Sequence, residues 1–223
     1  MKRYIPFVII AAIALLTVAA GAMLYRAKQH PLPSVGAAPA SVAKIDEKTA
    51  HVHGEPNAPV TLEEFGDFQC PSCSLVSSII RNLEHDYGPR LRVVFRQFPL
   101  KMHSHALEAA IAAEAAGVQG RFWEMHDLLY QNQSAWSEAA NVQPLFEAYA
   151  GNLGLDVDRF KKDMQTPEVN VRVASDMELG VSRGVMNTPT LLINGREIPG
   201  PGPFTRERLR EAIEEAMAVN KKP

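Results

Sequence analysis

The 223-residue chain holds only two cysteines, and they stand two residues apart as Cys70-Pro71-Ser72-Cys73, between a β-prone run and an amphipathic helical pattern. A disulfide scaffold needs more cysteines, more widely spread. The pair therefore reads as chemistry rather than stapling. Residues 60–65 are β-prone and follow the turn-forming stretch Gly54-Glu55-Pro56-Asn57-Ala58-Pro59. A helix is predicted over about 72–86, with Leu75, Ile79, Ile80 and Leu83 on one face, and Tyr87-Gly88-Pro89 ends it. Residues 91–98 read as a second strand. Strand, helix and strand in so short a span make a βαβ unit with a parallel pair. Cys70 then falls at a strand-to-helix junction, with Cys73 one turn further on.

Downstream, helical signals run from Ser104 to about Val185. The Ala-rich segment 106–118 comes first, then 122–130, 142–150, 156–164 and 167–183. Residues 190–193 resume strand character, Asn194-Gly195 is a hairpin signal, and 196–199 form a short edge strand. A closing helix is predicted over 205–219, with Thr205 near its cap. The order is β-α-β, a helical insertion at about 103–185, then β-β-α: an α/β domain spanning about 44–220.

Residues 5–25 are an almost unbroken apolar run, with Lys2 and Arg3 before it and Arg26 and Lys28 after it. That length matches a bilayer's hydrocarbon core. The N-terminal positive charges (tip 1–4) should stay cytoplasmic, exporting the remainder. The run is expected to remain as a transmembrane signal anchor. Cleavage after Ala20 or Ala22 is the alternative and would leave a soluble periplasmic or secreted domain. Residues 26–43, rich in Pro, Ala, Ser and Gly, read as a flexible linker, with no stable core before about Lys44. Beyond residue 28 the chain has 19 basic and 25 acidic side chains. So acidic a body argues against a nucleic-acid partner, because phosphate binding needs a basic face.

Thiol–disulfide exchange needs a thiolate that attacks a disulfide sulfur, and a second thiol that resolves the mixed disulfide. Free N–H groups and the dipole at a helix N-terminus stabilise negative charge at Cys70 and lower its pKa. Cys73 is better placed as the buried resolving thiol, and Pro71 suits a first helical turn, where no N–H is needed. Two other uses of the pair stay open on spacing alone. One is half of a zinc site with His103 and His105 or with His51 and His53; the other is an inert disulfide. His103, His105 and His126 are expected at the surface or in packing roles, and Phe122, Trp123 and Trp136 in the core.

Four stretches together resemble the DsbA-like branch of the thioredoxin superfamily, especially its thioredoxin-4 members. They are residues 58–73, ending in Phe68-Gln69-Cys70-Pro71-Ser72-Cys73; His105-Ala106-Leu107-Glu108-Ala109-Ala110; Gly120-Arg121-Phe122-Trp123-Glu124-Met125-His126; and Gly184-Val185-Met186-Asn187-Thr188-Pro189-Thr190. The resemblance covers about 50–218. It implies a thioredoxin fold with a helical insertion between the second and third strands of the core. It also speaks against zinc, and no metal or cofactor is expected beyond a redox-active Cys70–Cys73 disulfide. In that family a buried acid at the position of Glu64 helps move the resolving cysteine's proton, while Glu63 should point to the opposite face. Thr188-Pro189 matches the cis-proline loop, with Pro189 against the CxxC and the Thr188 backbone presented to an extended substrate. Pro71, Ser72 and Phe68 are expected to face substrate as well, Phe68 near the rim. Strongly oxidising members often carry His where this chain has Ser72, so the dithiol is expected to be somewhat less oxidising.

The implied function is an exported dithiol oxidase acting on reduced or unfolded exported proteins, reoxidised by a membrane partner of quinone-reductase type. A reductase or isomerase kept reduced by another membrane partner, and a non-catalytic tethered chaperone, are the alternatives.

Overall fold

The computed structural model describes residues 50–199 and 202–219. The tip, the apolar run 5–25 with its cleavage sites, and the linker 26–43 lie outside the described residues. Among the described residues no helix is long and apolar enough to cross a membrane.

Strand β2 (Val60–Gly66) leads into helix α1 (Pro71–Tyr87), which returns through the single turn 88–90 to β3 (Leu91–Gln97). β2 and β3 pair in parallel, Val60 opposite Leu91 and Glu64 opposite Phe95. β4 (Thr190–Ile193) runs antiparallel on the other edge of β2 and continues through a hairpin into β5 (Arg196–Glu197). The hairpin works because Asn194 and Gly195 both take positive φ, 48° and 77°, which matches the twist of the flanking strands. A further strand, β1 (His51–His53), pairs antiparallel with β3, so the sheet order is β1-β3-β2-β4-β5.

One sheet face carries Leu62, Val93, Leu191 and Ile193. Helices α1 and α8 (Arg206–Val219) cover it with Val76, Ile80, Leu83, Leu209 and Ile213. Between β3 and β4 the chain builds a helical unit: α2 (Ala106–Val118), α3 (Phe122–Gln131), α4 (Gln133–Trp136), α5 (Gln143–Asn152), α6 (Val157–Asp163) and α7 (Pro167–Ser182). Trp136, Phe146, Phe160, Met125 and Leu129 fill its centre, and the small side chains of α2 let neighbouring helices approach closely. Helix α7 starts at a Thr166 cap followed by Pro167 and lies across the second sheet face. Its Gly180 is so close to that face that a Cβ there would sit 2.6 Å from the Phe98 ring.

A buried ion cluster ties this second face to the sheet. The fully buried Arg96 donates from Nε to Glu63 at 3.0 Å and from Nη1 to Asp176 at 2.9 Å, and Arg183 reaches the other Glu63 oxygen at 2.6 Å. Charges out of water persist only when paired and hydrogen-bonded in this way.

Candidate active site

The sheet and α1 fix the dithiol. Cys70 is the N-cap of α1, with extended backbone angles and no side-chain cap, and Pro71 opens the helix. Cys70 Sγ therefore lies among the helix's unsatisfied N–H groups. Cys70 is 7 % exposed and Cys73 is 0 % exposed; both are free thiols, so the structure describes the reduced pair.

The two thiols are driven apart electrostatically. A hydrogen bond from the Cys73 side chain is the largest influence on Cys70; together with those from Thr188 and the Cys73 and Ser72 backbone it outweighs burial and lowers the Cys70 pKa to about 5. When protonated, Cys70 Sγ can instead donate to the Thr188 carbonyl at 3.5 Å. Burial pushes the Cys73 thiol strongly the other way, reinforced by its hydrogen bond to Cys70 and by the negative charge on Glu64. One cysteine is thus ready as a nucleophile while its neighbour keeps its proton.

Glu64 is 2 % exposed, and its pKa is raised to about 8, first by burial and then by the Cys70 charge. Among the described residues its Oε1 has no hydrogen-bond partner. Glu63, the next residue along β2, is held on the other face by Arg96 and Arg183. The Thr188–Pro189 peptide is cis. Beside it opens a groove of about 620 Å³ whose walls include Ser72, Leu75, Thr188, Pro189, Ile198 and Phe204. Ser72 is exposed on its wall, and Pro71 is exposed but does not line it.

Phe68 corrects the expectation from sequence. It is fully buried, not at the rim, wedged between the Phe95 ring at 5.3 Å and the Tyr130 ring at 4.9 Å. A side chain with no exposed surface cannot touch substrate; its role is to seat the cysteine loop on the insertion.

Two residues that the sequence does not single out hold that loop. Asp67 receives the Gln69 N–H at 2.7 Å through Oδ1 and the Leu100 N–H at 2.8 Å through Oδ2, with His103 Nδ1 also 2.7 Å from Oδ2. Gln133, on α4, donates from Nε2 to the carbonyls of Phe68 at 2.7 Å and Cys70 at 3.0 Å. A polar Asp in the apolar approach to the cysteines is a signal for the first. Gln133 offers none, since it is 63 residues from Cys70.

The histidines weighed as zinc ligands are engaged elsewhere: His51 with Glu114, His53 with Glu84, His103 with Asp67 and His105 with Glu108. Among the described residues no three or more His, Cys, Asp or Glu side chains are grouped to hold a metal.

A thioredoxin family model, Thioredoxin_4, matches residues 46–215. The chain belongs to this thioredoxin family, within the thioredoxin superfamily. Among solved structures, the chain is similar to a thioredoxin-like oxidoreductase from Silicibacter pomeroyi DSS-3, with 28% identity, a TM-score of 0.63, and 76% of this chain and 93% of that one covered. BdbD from Bacillus subtilis, in its oxidised form, shares the fold at 24% identity with a TM-score of 0.67, over 77% of this chain and 94% of that one. In sequence, the chain is 41% identical over 162 residues to a Mycolicibacterium gilvum protein named Na(+)/H(+) antiporter NhaA 1, covering 70% of this chain and 25% of that protein. The chain spans about a quarter of the length of such curated relatives.

Proposed function

We propose that the chain is an exported dithiol oxidase that passes a Cys70–Cys73 disulfide to reduced or unfolded exported proteins. A membrane partner of quinone-reductase type would reoxidise it, and residues 5–25 would hold it to the bilayer. The observation that carries the direction is the Cys70 pKa of about 5. A stabilised thiolate favours the reduced dithiol and so makes the disulfide a better oxidant. That stabilisation comes first from the Cys73 side chain and also from the Cys73 and Ser72 backbone, without a histidine at position 72.

In the forward direction a client thiolate attacks Cys70 Sγ, the Cys70–Cys73 bond breaks, and Cys73 leaves as a thiolate that takes a proton from Glu64. A second client thiolate then attacks the client sulfur of the mixed disulfide. The client disulfide forms, Cys70 leaves as its stabilised thiolate, and two electrons have passed to the dithiol. The groove, which runs past Thr188 and Pro189 to the start of β4, suits strand-like pairing with an extended client segment. The presence of a similar domain within chains named as sodium/proton antiporters supports a setting at a membrane.

Trapping Cys70 and Cys73 in cells with a thiol-reactive mass tag tests the direction. Mostly disulfide is expected, and a mostly dithiol pool would refute the oxidase in favour of a reductase or isomerase. Cys73→Ala should accumulate mixed disulfides with clients; their absence would point to a chaperone without turnover.

A further inference from the structure

We propose that a cleft behind Glu64, walled by Ser77 and His126 and opening at Asp127, carries the Cys73 proton between Glu64 and solvent. The proposal rests on the dithiol-exchange reading above. Exchange requires Cys73 to lose and regain a proton each cycle, yet neither Cys73 nor Glu64 has useful exposure. Glu64 can hold the proton but needs an outlet to reset.

The outlet lies on the far side of the carboxylate. A cleft of about 100 Å³ is lined by Glu64, Ser77, Trp123 and His126 within, and by Asp127, Arg81, Glu84 and His53 at its mouth. That volume has room for several waters. Glu64 Oε1, buried without a partner among the described residues, is the kind of atom that a bound water satisfies. His126 is fixed edge-on against Phe95 and Tyr130, and its Nδ1 lies 3.1 Å from Asp127 Oδ1. Burial lowers the His126 pKa and keeps the ring neutral. With Nδ1–H directed to Asp127, Nε2 is an acceptor, so the ring can take a proton on one side as it gives one on the other. At the mouth, Arg81 pairs with Asp127 at 2.8 Å and His53 with Glu84 at 2.7 Å. On the core side the Cys70 charge reaches Glu64, while burial first, and then the charges of Cys73, Glu64, Asp67 and Cys70, keep the Tyr130 hydroxyl protonated.

The step balances in the resolving direction. Cys73 gives its proton to Glu64, and the Cys73 thiolate attacks Cys70 Sγ of a mixed disulfide. The Cys70–S–S–R bond breaks, and RS⁻ leaves with its electron pair. The proton then passes from Glu64 through cleft water and His126 to solvent. With Cys70 in a mixed disulfide its charge is absent, so one of the two causes raising Glu64 is gone and more of the carboxyl stands deprotonated, free to take the Cys73 proton.

Stopped-flow reaction of the reduced full chain with excess dithiobis(nitrobenzoate) separates the steps, since thionitrobenzoate is released once by Cys70 and again by Cys73. Ser77→Met should fill the cleft, and His126→Leu should break the relay from another wall. Both are expected to leave the first phase unchanged and slow the second about tenfold, with a larger solvent deuterium isotope effect. Glu64→Gln should slow it about 100-fold, within the usual range for a lost general acid–base. A second phase unchanged in Ser77→Met overturns the route. His126→Leu loses ring contacts, so if it does not fold, Ser77→Met and the half-buried Asp127→Asn decide. A wild type without the two phases would overturn the dithiol reading and the route with it; a normal wild type with unaffected variants overturns the route alone.

Discussion

Replacing Cys73 by alanine removes the largest single influence holding down the Cys70 pKa, the hydrogen bond from the Cys73 thiol. A hydrogen bond to a charged group is worth about 1.5–3 kcal/mol net, and each pKa unit corresponds to about 1.4 kcal/mol, so the loss is worth about 1–2 units. Cys70 should therefore move from about 5 to about 6–7 in Cys73→Ala. At pH 6 its thiolate fraction would fall from about nine-tenths to about a quarter for a pKa near the middle of that range. Ultraviolet thiolate absorbance, followed as the pH is lowered, reads the midpoint directly because only one cysteine remains. Cys73→Ser keeps an O–H donor and should shift less than alanine, which separates the hydrogen bond from loss of bulk. An alanine variant still titrating at about 5 would refute the reasoning and assign the effect to the helix N-terminus and backbone donors alone.

Glu64→Gln should stabilise the reduced protein at pH 7 by up to about 3 kcal/mol while impairing turnover. The sign follows from a folded pKa raised from 4.5 to about 8: the stability tied to Glu64 is complete below 4.5 and lost as pH rises toward 8, so urea unfolding should show the gain at pH 7 and none at pH 4. Arg96→Leu leaves Asp176 without its Nη1 partner and Glu63 with Arg183 alone, and should cost about 3–5 kcal/mol in the urea midpoint. Gln133→Ala leaves the Phe68 and Cys70 carbonyls without their side-chain donor, and should cost about 1–3 kcal/mol in thermal unfolding and slow disulfide exchange.

The β2-α1-β3 unit was legible because its apolar spacing changes from strand to helix and back over lengths that pattern can resolve. The longer insertion helices were legible for the same reason. β1 was not: three residues carry no usable alternation, and His51–His53 become a strand through pairing with β3 and the His51–Glu114 contact. Nor was α4, a single turn of Gln133–Trp136, too short for periodicity to mark. Within the site, alternation alone placed Glu63 and Glu64 on opposite faces. Their different fates depended on Arg96 from β3 and Arg183 just beyond α7, and on the partnerless cleft side of Glu64. Phe68 misled because its burial comes from Phe95 and Tyr130, distant in sequence and brought over the loop by the insertion.

Those adjacent acids on β2 also act as an alignment device. If β2 slipped by one residue against β3, the tethered Glu63 would enter the cysteine side and Glu64 would face two arginines. An anion locked by guanidinium groups is a poor proton carrier, and a carboxyl that must exchange protons is a poor anchor. Misalignment would therefore cost both the fold's internal salt links and the acid beneath the dithiol. The two neighbours form an electrostatic key that fits the sheet in one frame only.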